Sequence, residues 1–251
     1  MTRKLWTRNE LIMVFNLYCK VPFHSINSNH KDVIALSNVI NRTPSAIAWK
    51  LANFFSLDPS RNNDLSGAKN CSKLDKNIFD EFGNNLESLV LESEKLYNKD
   101  FNKNDYIEDL DLIEKIGIDV STNSKTRINQ SFFRKTILSS YNNRCCITGL
   151  NKPELLIASH IKPWSVDLEN RTNPQNGLCL NSLHDKAFDK GLIGVDKNYR
   201  IKISAKITEY LPNEAIEENF VKYLEKEIIL PDKFLPNIDF LDWHLLNIFI
   251  K

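Results

Sequence analysis

Apolar positions along the first sixty residues recur at helical spacing. In TRNELIMVFNLYCK, residues 7–20, Leu11, Val14, Phe15 and Tyr18 fall on one face behind a Thr with a Glu three residues later. That is a capping-box start to an amphipathic helix. After the break at Pro22, Val33, Leu36, Val39 and Ile40 repeat as a second helix, residues 41–43 make a turn, and Pro44 opens a third helix whose buried side is Ile47, Leu51, Phe54 and Phe55. Two helices joined by a tight turn form a helix-turn-helix, with Ser45, Trp49 and Lys50 expected near the exposed side of its second helix. Residues 58–77 are polar and turn-rich and read as an extended loop. The helical period returns in IFDEFGNNLESLVLESEKLY, and the acidic KDFNKNDYIEDLDLIEKIGIDVSTNSK has the composition of a connector.

Beyond the connector the pattern changes. RINQSFFRKTILSSYNNRCCITG carries Phe132, Phe133, Ile137, Leu138 and Tyr141 on one helical face, with Arg127, Gln130, Arg134 and Lys135 partly on the other. ELLIASHI is a strand-like apolar run ending at a histidine, and NGLCLN is a second short strand. SLHDKAFDKG reads as a helix capped by Ser182 and Gly191, and LIGVDKNYRIKIS as a closing hairpin. Strand, loop, strand, helix is a compact ββα unit. The expected fold class is therefore α+β: a helical module with a helix-turn-helix over residues 1–57, an acidic helix and connector over 58–124, and a ββα domain with a terminal helix over 125–251.

Charge sharpens this division. The net charge of +1 over 251 residues conceals four blocks of alternating sign: +5 over residues 1–57, −7 over 58–120, +8 over 121–206 and −5 over 207–251. A polyanion such as double-stranded DNA would be drawn to the basic blocks. No stretch reaches the roughly 18 unbroken apolar residues of a membrane span. Five cysteines, two of them adjacent (Cys145 and Cys146), make a poor disulfide framework and point to a reducing, cytoplasmic setting. They include no C-x-x-C pair, so no structural zinc is expected.

Three polar residues occupy informative places in the ββα unit: His160 at the end of the first strand, Asn176 sixteen residues on, and His184 eight residues after that. With RINQSFFRKTILSSYNNRCCITG, ASHIKPW, NPQNGLCLNSLHDKAFDKGLI and the terminal FLDWHLLNIFI, they make residues 125–251 resemble the HNH endonucleases, the ββα-metal nucleases, in particular their restriction-enzyme branch. An imidazole with an ordinary pKa near ~6.5 can take a proton from water at neutral pH, which suits His160 to the role of general base. The resemblance implies that His184 is a ligand to one divalent cation, Mg²⁺ or Mn²⁺, and that Asn176 holds the histidine-bearing strand end. Many members carry Asp or His just before the catalytic histidine as a second ligand, where this chain has Ser159. A neutral hydroxyl is a weak partner for a hard cation, so water, the substrate phosphate, or an acid such as Asp185 or Asp189 would have to help. Phosphate contacts are expected from Arg127, Gln130, Arg134 and Lys162 near the site and from Arg42, Thr43, Ser45 and Lys50 in the helical hairpin. The implied activity is metal-dependent hydrolysis of double-stranded DNA in a restriction role, and double-strand cleavage by a one-site protomer would favour a homodimer. A non-catalytic DNA-binding regulator, or a homing or toxin nuclease, would share many of these features.

Overall fold

A computed structural model describes residues 4–62, 65–68, 70–100 and 124–251. Residues 101–123, which hold most of the expected connector, lie outside the described residues. The chain divides into two compact units. One is drawn from residues up to Phe132; the other comprises Phe133–Lys251 with the short segments Pro22–His24 and Pro59–Leu65. The architecture is α+β, and the four strands among the described residues all lie in the second unit.

In the first unit, α1 (Arg8–Lys20) begins at the expected capping box, Thr7 and Glu10 satisfying each other's backbone. α2 (Lys31–Ile40) ends at Asn41 in the left-handed conformation, which turns the chain, and α3 (Pro44–Leu57) starts behind Thr43, whose side chain accepts from Ala46 N–H. α4 (Lys73–Phe82) and α5 (Leu86–Asp100) pack on α1, and α4 also on α3, so the acidic stretch supplies two helices to this bundle. Phe15 stacks on Phe54 at its centre.

This packing changes the reading of the basic hairpin. Arg42 is not presented outward: its guanidinium donates to both carboxylate oxygens of Glu10 (3.0 and 2.8 Å) and to the Lys4 carbonyl, and it stacks over Trp6. Lys50, expected near the exposed side, is buried with its Nζ 2.7 and 2.8 Å from the two oxygens of Asp75. Both cations answer buried carboxylates, since a charge left unpaired in the bundle would be strongly unfavourable. Thr43 is occupied as a cap, while Ser45 and Trp49 remain exposed along α3.

Of α6 (Ser124–Ser140), the residues from Phe133 onward belong to the second unit and pack in its core. β1 (Leu156–His160) pairs antiparallel with β2 (Gly177–Asn181), Ser159 opposite Leu178 and His160 opposite Gly177. α7 (Ser182–Asp189) follows at once. Its N-cap is Asn181 rather than Ser182, the Asn181 carbonyl oxygen accepting from His184 N–H at 2.9 Å. The helix stops where Gly191 takes a positive φ of 68° and the Leu192 N–H reaches back to the Ala187 carbonyl. β3 (Ile193–Val195) and β4 (Ile201–Ile203) form the hairpin, followed by the short helices α8 (Ala205–Thr208) and α9 (Glu214–Asn219). α10 (Ile238–Asn247) closes the unit against β3. The core is a continuous cluster including Phe133, Ile137, Cys146, Leu178, Phe188 and Leu241. His244 lies in it, stacked on Phe188.

Candidate active site

The end of β1 delivers His160 into a cage of three contacts. Phe133 of α6 lies flat on the imidazole, centroids 3.8 Å apart and planes 9° apart. Trp164 meets it edge-on at 5.4 Å, and Nε2 lies 3.0 Å from the Arg171 carbonyl. A carbonyl oxygen only accepts, so Nε2 carries the hydrogen and, in the neutral ring, Nδ1 carries the lone pair. Burial holds the imidazole pKa below its usual value, with the Arg171 charge adding to this and the carbonyl hydrogen bond opposing it. The ring is thus a neutral base with one nitrogen committed.

The cage depends on the loop between β1 and β2, and Asn176 fastens that loop. Its fully buried side chain accepts from Lys162 N–H at 2.8 Å and donates to the Lys162 carbonyl at 3.1 Å, spanning both ends of the loop. Asp167 pairs with Lys162 Nζ (3.0 Å) and accepts from the Asn170 amide, while Arg171 Nε donates to the Trp164 carbonyl. Asn176 is therefore positioned as expected, as a staple. Lys162 is not: its ammonium is tied to Asp167 and packed over Phe240 and Trp243, inside the loop rather than offered to a phosphate. Arg134 is likewise engaged, its guanidinium donating to the Leu156 and Pro153 carbonyls and bracing the start of β1. Arg127 and Gln130 precede the point where α6 enters this unit.

His184 departs most from expectation. It is 1% exposed, its Nε2 lies 2.7 Å from the Asn219 carbonyl, and Phe220 and Tyr223 meet the ring edge-on. Its other side faces the buried Cys145 thiol, which hydrogen bonds from His184 and Thr148 draw down to about 7 although burial pushes it up. The next residue, Asp185, faces the Ser159 hydroxyl. Ser159 is 3% exposed, and its oxygen has no hydrogen-bond partner within normal range. Burial raises the Asp185 carboxyl above its ordinary pKa, the nearby Asp189 charge adding to the effect; Asp189 is raised by burial as well. Among the described residues no three His, Cys, Asp or Glu side chains are gathered as a metal cluster.

Residues 145–196 match the family model described as HNH endonuclease. The segment containing His160, Asn176 and His184 is an HNH endonuclease domain. No curated protein matches the chain at a significant level. The HNH match covers β1, the stapled loop, β2, α7 and β3, so the caged base and the Ser159–Asp185 corner both fall inside it. Two parts of this HNH site escaped the sequence reading. Phe133 could be placed on a buried helical face but not under a particular ring, and Arg171 acts through its backbone carbonyl, which carries no side-chain signal.

Proposed function

We propose that this chain is a metal-dependent DNA endonuclease of HNH type, hydrolysing phosphodiester bonds in a restriction role. The observation that carries the reading is His160 itself: a buried ring with Nε2 fixed to the Arg171 carbonyl and Nδ1 left as the basic nitrogen, inside a domain of the HNH family. In the reaction, Nδ1 takes a proton from water as the water oxygen attacks phosphorus, the bond to the 3′ oxygen breaks, and that oxygen takes a proton from solvent water, leaving 5′-phosphate and 3′-hydroxyl ends. Phe133, Trp164 and the Arg171 carbonyl restrict the ring to one orientation, and Asn176 keeps the loop that supplies two of these contacts closed.

Of the ligand pair expected for a divalent cation, Ser159 with His184, the histidine has Nε2 held by the Asn219 carbonyl and would have to act through Nδ1. Ser159 is a buried hydroxyl that faces the desolvated Asp185 carboxylate. A divalent ion in that corner would neutralise charge gathering on the phosphate.

For recognition we propose the α2–α3 hairpin, with the exposed Ser45 and Trp49 as its contacts, in place of Arg42 and Lys50. One site per chain makes double-strand cleavage the work of two copies, hence a homodimer on DNA. A cytoplasmic enzyme accords with the free cysteines; among the described residues no helix is long and apolar enough to cross a membrane.

The test is incubation of the protein with methylated and unmethylated genomic DNA and Mg²⁺ or Mn²⁺, followed by sequencing of the ends. The wild-type chain gives discrete ends, and His160→Ala gives none while still shifting DNA on a gel. Nicking by His160→Ala at the wild-type rate would remove His160 as the base.

A further inference from the structure

We infer that Arg171 is a catalytic residue that grips the scissile phosphate, donating to its oxygens through Nη1 and Nη2 while the backbone carbonyl of the same residue holds the base. The inference rests on the nuclease reading for which phosphate is held; the anion site itself stands on contacts within the loop between β1 and β2. Arg171 is half-buried, and its Nε donates to the Trp164 carbonyl at 2.9 Å. Its guanidinium carbon lies over the Trp164 ring, 4.9 Å from the centroid. Nη1 and Nη2 have no hydrogen-bond or ion-pair partner among the described residues. The indole and the carbonyl of one residue thus fix the plane of the guanidinium and leave its two-pronged edge unpaired. A planar fork held in this way suits bidentate contact with a phosphate.

The carboxylate in the same loop that could neutralise Arg171 is already taken. Asp167 pairs with Lys162 Nζ at 3.0 Å and accepts from the Asn170 amide at 3.0 Å. That pairing withdraws Lys162 from the substrate and leaves the charge of Arg171 without a counter-ion among the described residues. A half-buried cation with open donors is satisfied by an anion from outside the chain. Arg134 and Lys162, the phosphate contacts expected near the base, are both engaged within the domain, and Arg171 stands in their place.

Position gives the anion its role. His160 Nε2 lies 3.0 Å from the Arg171 carbonyl, and the imidazole meets, at 5.4 Å, the same indole that carries the guanidinium. Base and cation therefore share one residue and one aromatic support, and the Arg171 charge helps to keep the imidazole neutral. Attack of water on phosphorus gathers negative charge on the phosphate oxygens, and a cation already oriented beside the base meets that charge without reorganising. Substitution of the Arg171 side chain leaves the carbonyl on His160 in place, so the two roles can be separated by experiment.

Two measurements on the full chain test the inference. The first follows binding to a short duplex across a salt series, in EDTA so that the DNA stays intact. Arg171→Gln reduces the slope of log affinity against log salt by about one ion, and Arg171→Lys, which keeps the charge, retains the slope. The second is single-turnover nicking of supercoiled plasmid with Mn²⁺. Arg171→Gln slows it by about 100-fold or more, the scale of losing one transition-state donor. Arg171→Lys, with the charge but without the fork, falls between that variant and the wild type. Its pH–rate profile keeps the wild-type acid midpoint, because the cage around His160 is intact. An unchanged salt slope in folded Arg171→Gln overturns the inference. So does an acid midpoint displaced upward in Arg171→Lys, which would make the side chain a brace of the loop. A lost salt slope in a chain that nicks no plasmid would leave Arg171 on a phosphate and sink the nuclease reading; nicking indifferent to Arg171 would do the opposite.

Discussion

The base proposed at His160 is useful only at pH values where it stays neutral, and the largest influence on that is burial. Phe133 covers one face of the ring, and Trp164 closes on its edge. A histidine whose folded pKa is lowered is deprotonated, and therefore active as a base, down to a pH below the ordinary ~6.5. The acid limb of kcat/KM is accordingly expected to have its midpoint below pH ~6.5, with activity rising through it to a plateau near neutrality. Phe133→Ala opens the stacked face to water, and the midpoint moves up toward the ordinary value. A pH–rate series on both proteins checks this; an unmoved midpoint would mean that Phe133 contributes nothing to the environment of the base. At this scale the sequence was informative where side-chain type mattered. The strand-end place of His160 and the loop place of Asn176 could be read from spacing and resemblance, whereas the burial of His184 in the core could not, because adjacent helix residues differ only by a rotation that the core sets.

The elements show how tightly that rotation and the ring cage are built. β2 begins with Gly177 directly opposite His160, and a Cβ there would meet Ile137 Cδ1 at 2.4 Å and Phe133 Cζ at 2.8 Å. The missing side chain is what lets α6 approach the sheet closely enough to lay Phe133 on the imidazole. Gly177→Ala is expected to cost about 1–3 kcal/mol, the usual range for overpacking a core. It also lowers kcat, because α6 must retreat from the ring. Ile137→Val removes the atom in closest conflict, so Gly177→Ala with Ile137→Val recovers part of the stability. Urea denaturation of the four proteins of this cycle measures the coupling, and strict additivity would contradict the packing account. Helix and strand positions were legible here because period and cap residues are local: the ββα order and the capping box of α1 both stand where the sequence puts them. The Ser182 cap was misplaced by one residue, since Asn and Ser cap about equally well and only the backbone decides between Asn181 and Ser182.

Across the whole molecule, alternating blocks of charge invited a reading in which basic segments meet DNA and acidic ones stand between them. Summation along the chain cannot see pairing in space. In the first unit Arg8 binds Glu81 and Glu92 and Lys50 binds Asp75, so acids from the second block neutralise cations of the first within one bundle, while Arg42 binds Glu10 of its own block. Lys50 separates the two accounts by experiment. A phosphate contact at this position predicts that Lys50→Met weakens DNA binding, reduces its salt dependence by about one ion, and leaves folding alone. The structure predicts instead that Lys50→Met strands Asp75, whose side chain is fully buried and left with Asn53 Nδ2 and Ser72 N–H as hydrogen-bond donors. Breaking a buried pair on one side typically destabilises by about 3–5 kcal/mol, while replacing both partners with apolar residues is often close to neutral. Urea unfolding followed by helical circular dichroism should therefore show a large loss for Lys50→Met and substantial recovery when Asp75→Leu is added. DNA affinity measured below both transitions, across a salt series, stays the same for the wild type and the double variant if Lys50 belongs to the bundle. A double variant that folds well and still loses one unit of salt slope would return Lys50 to the DNA surface.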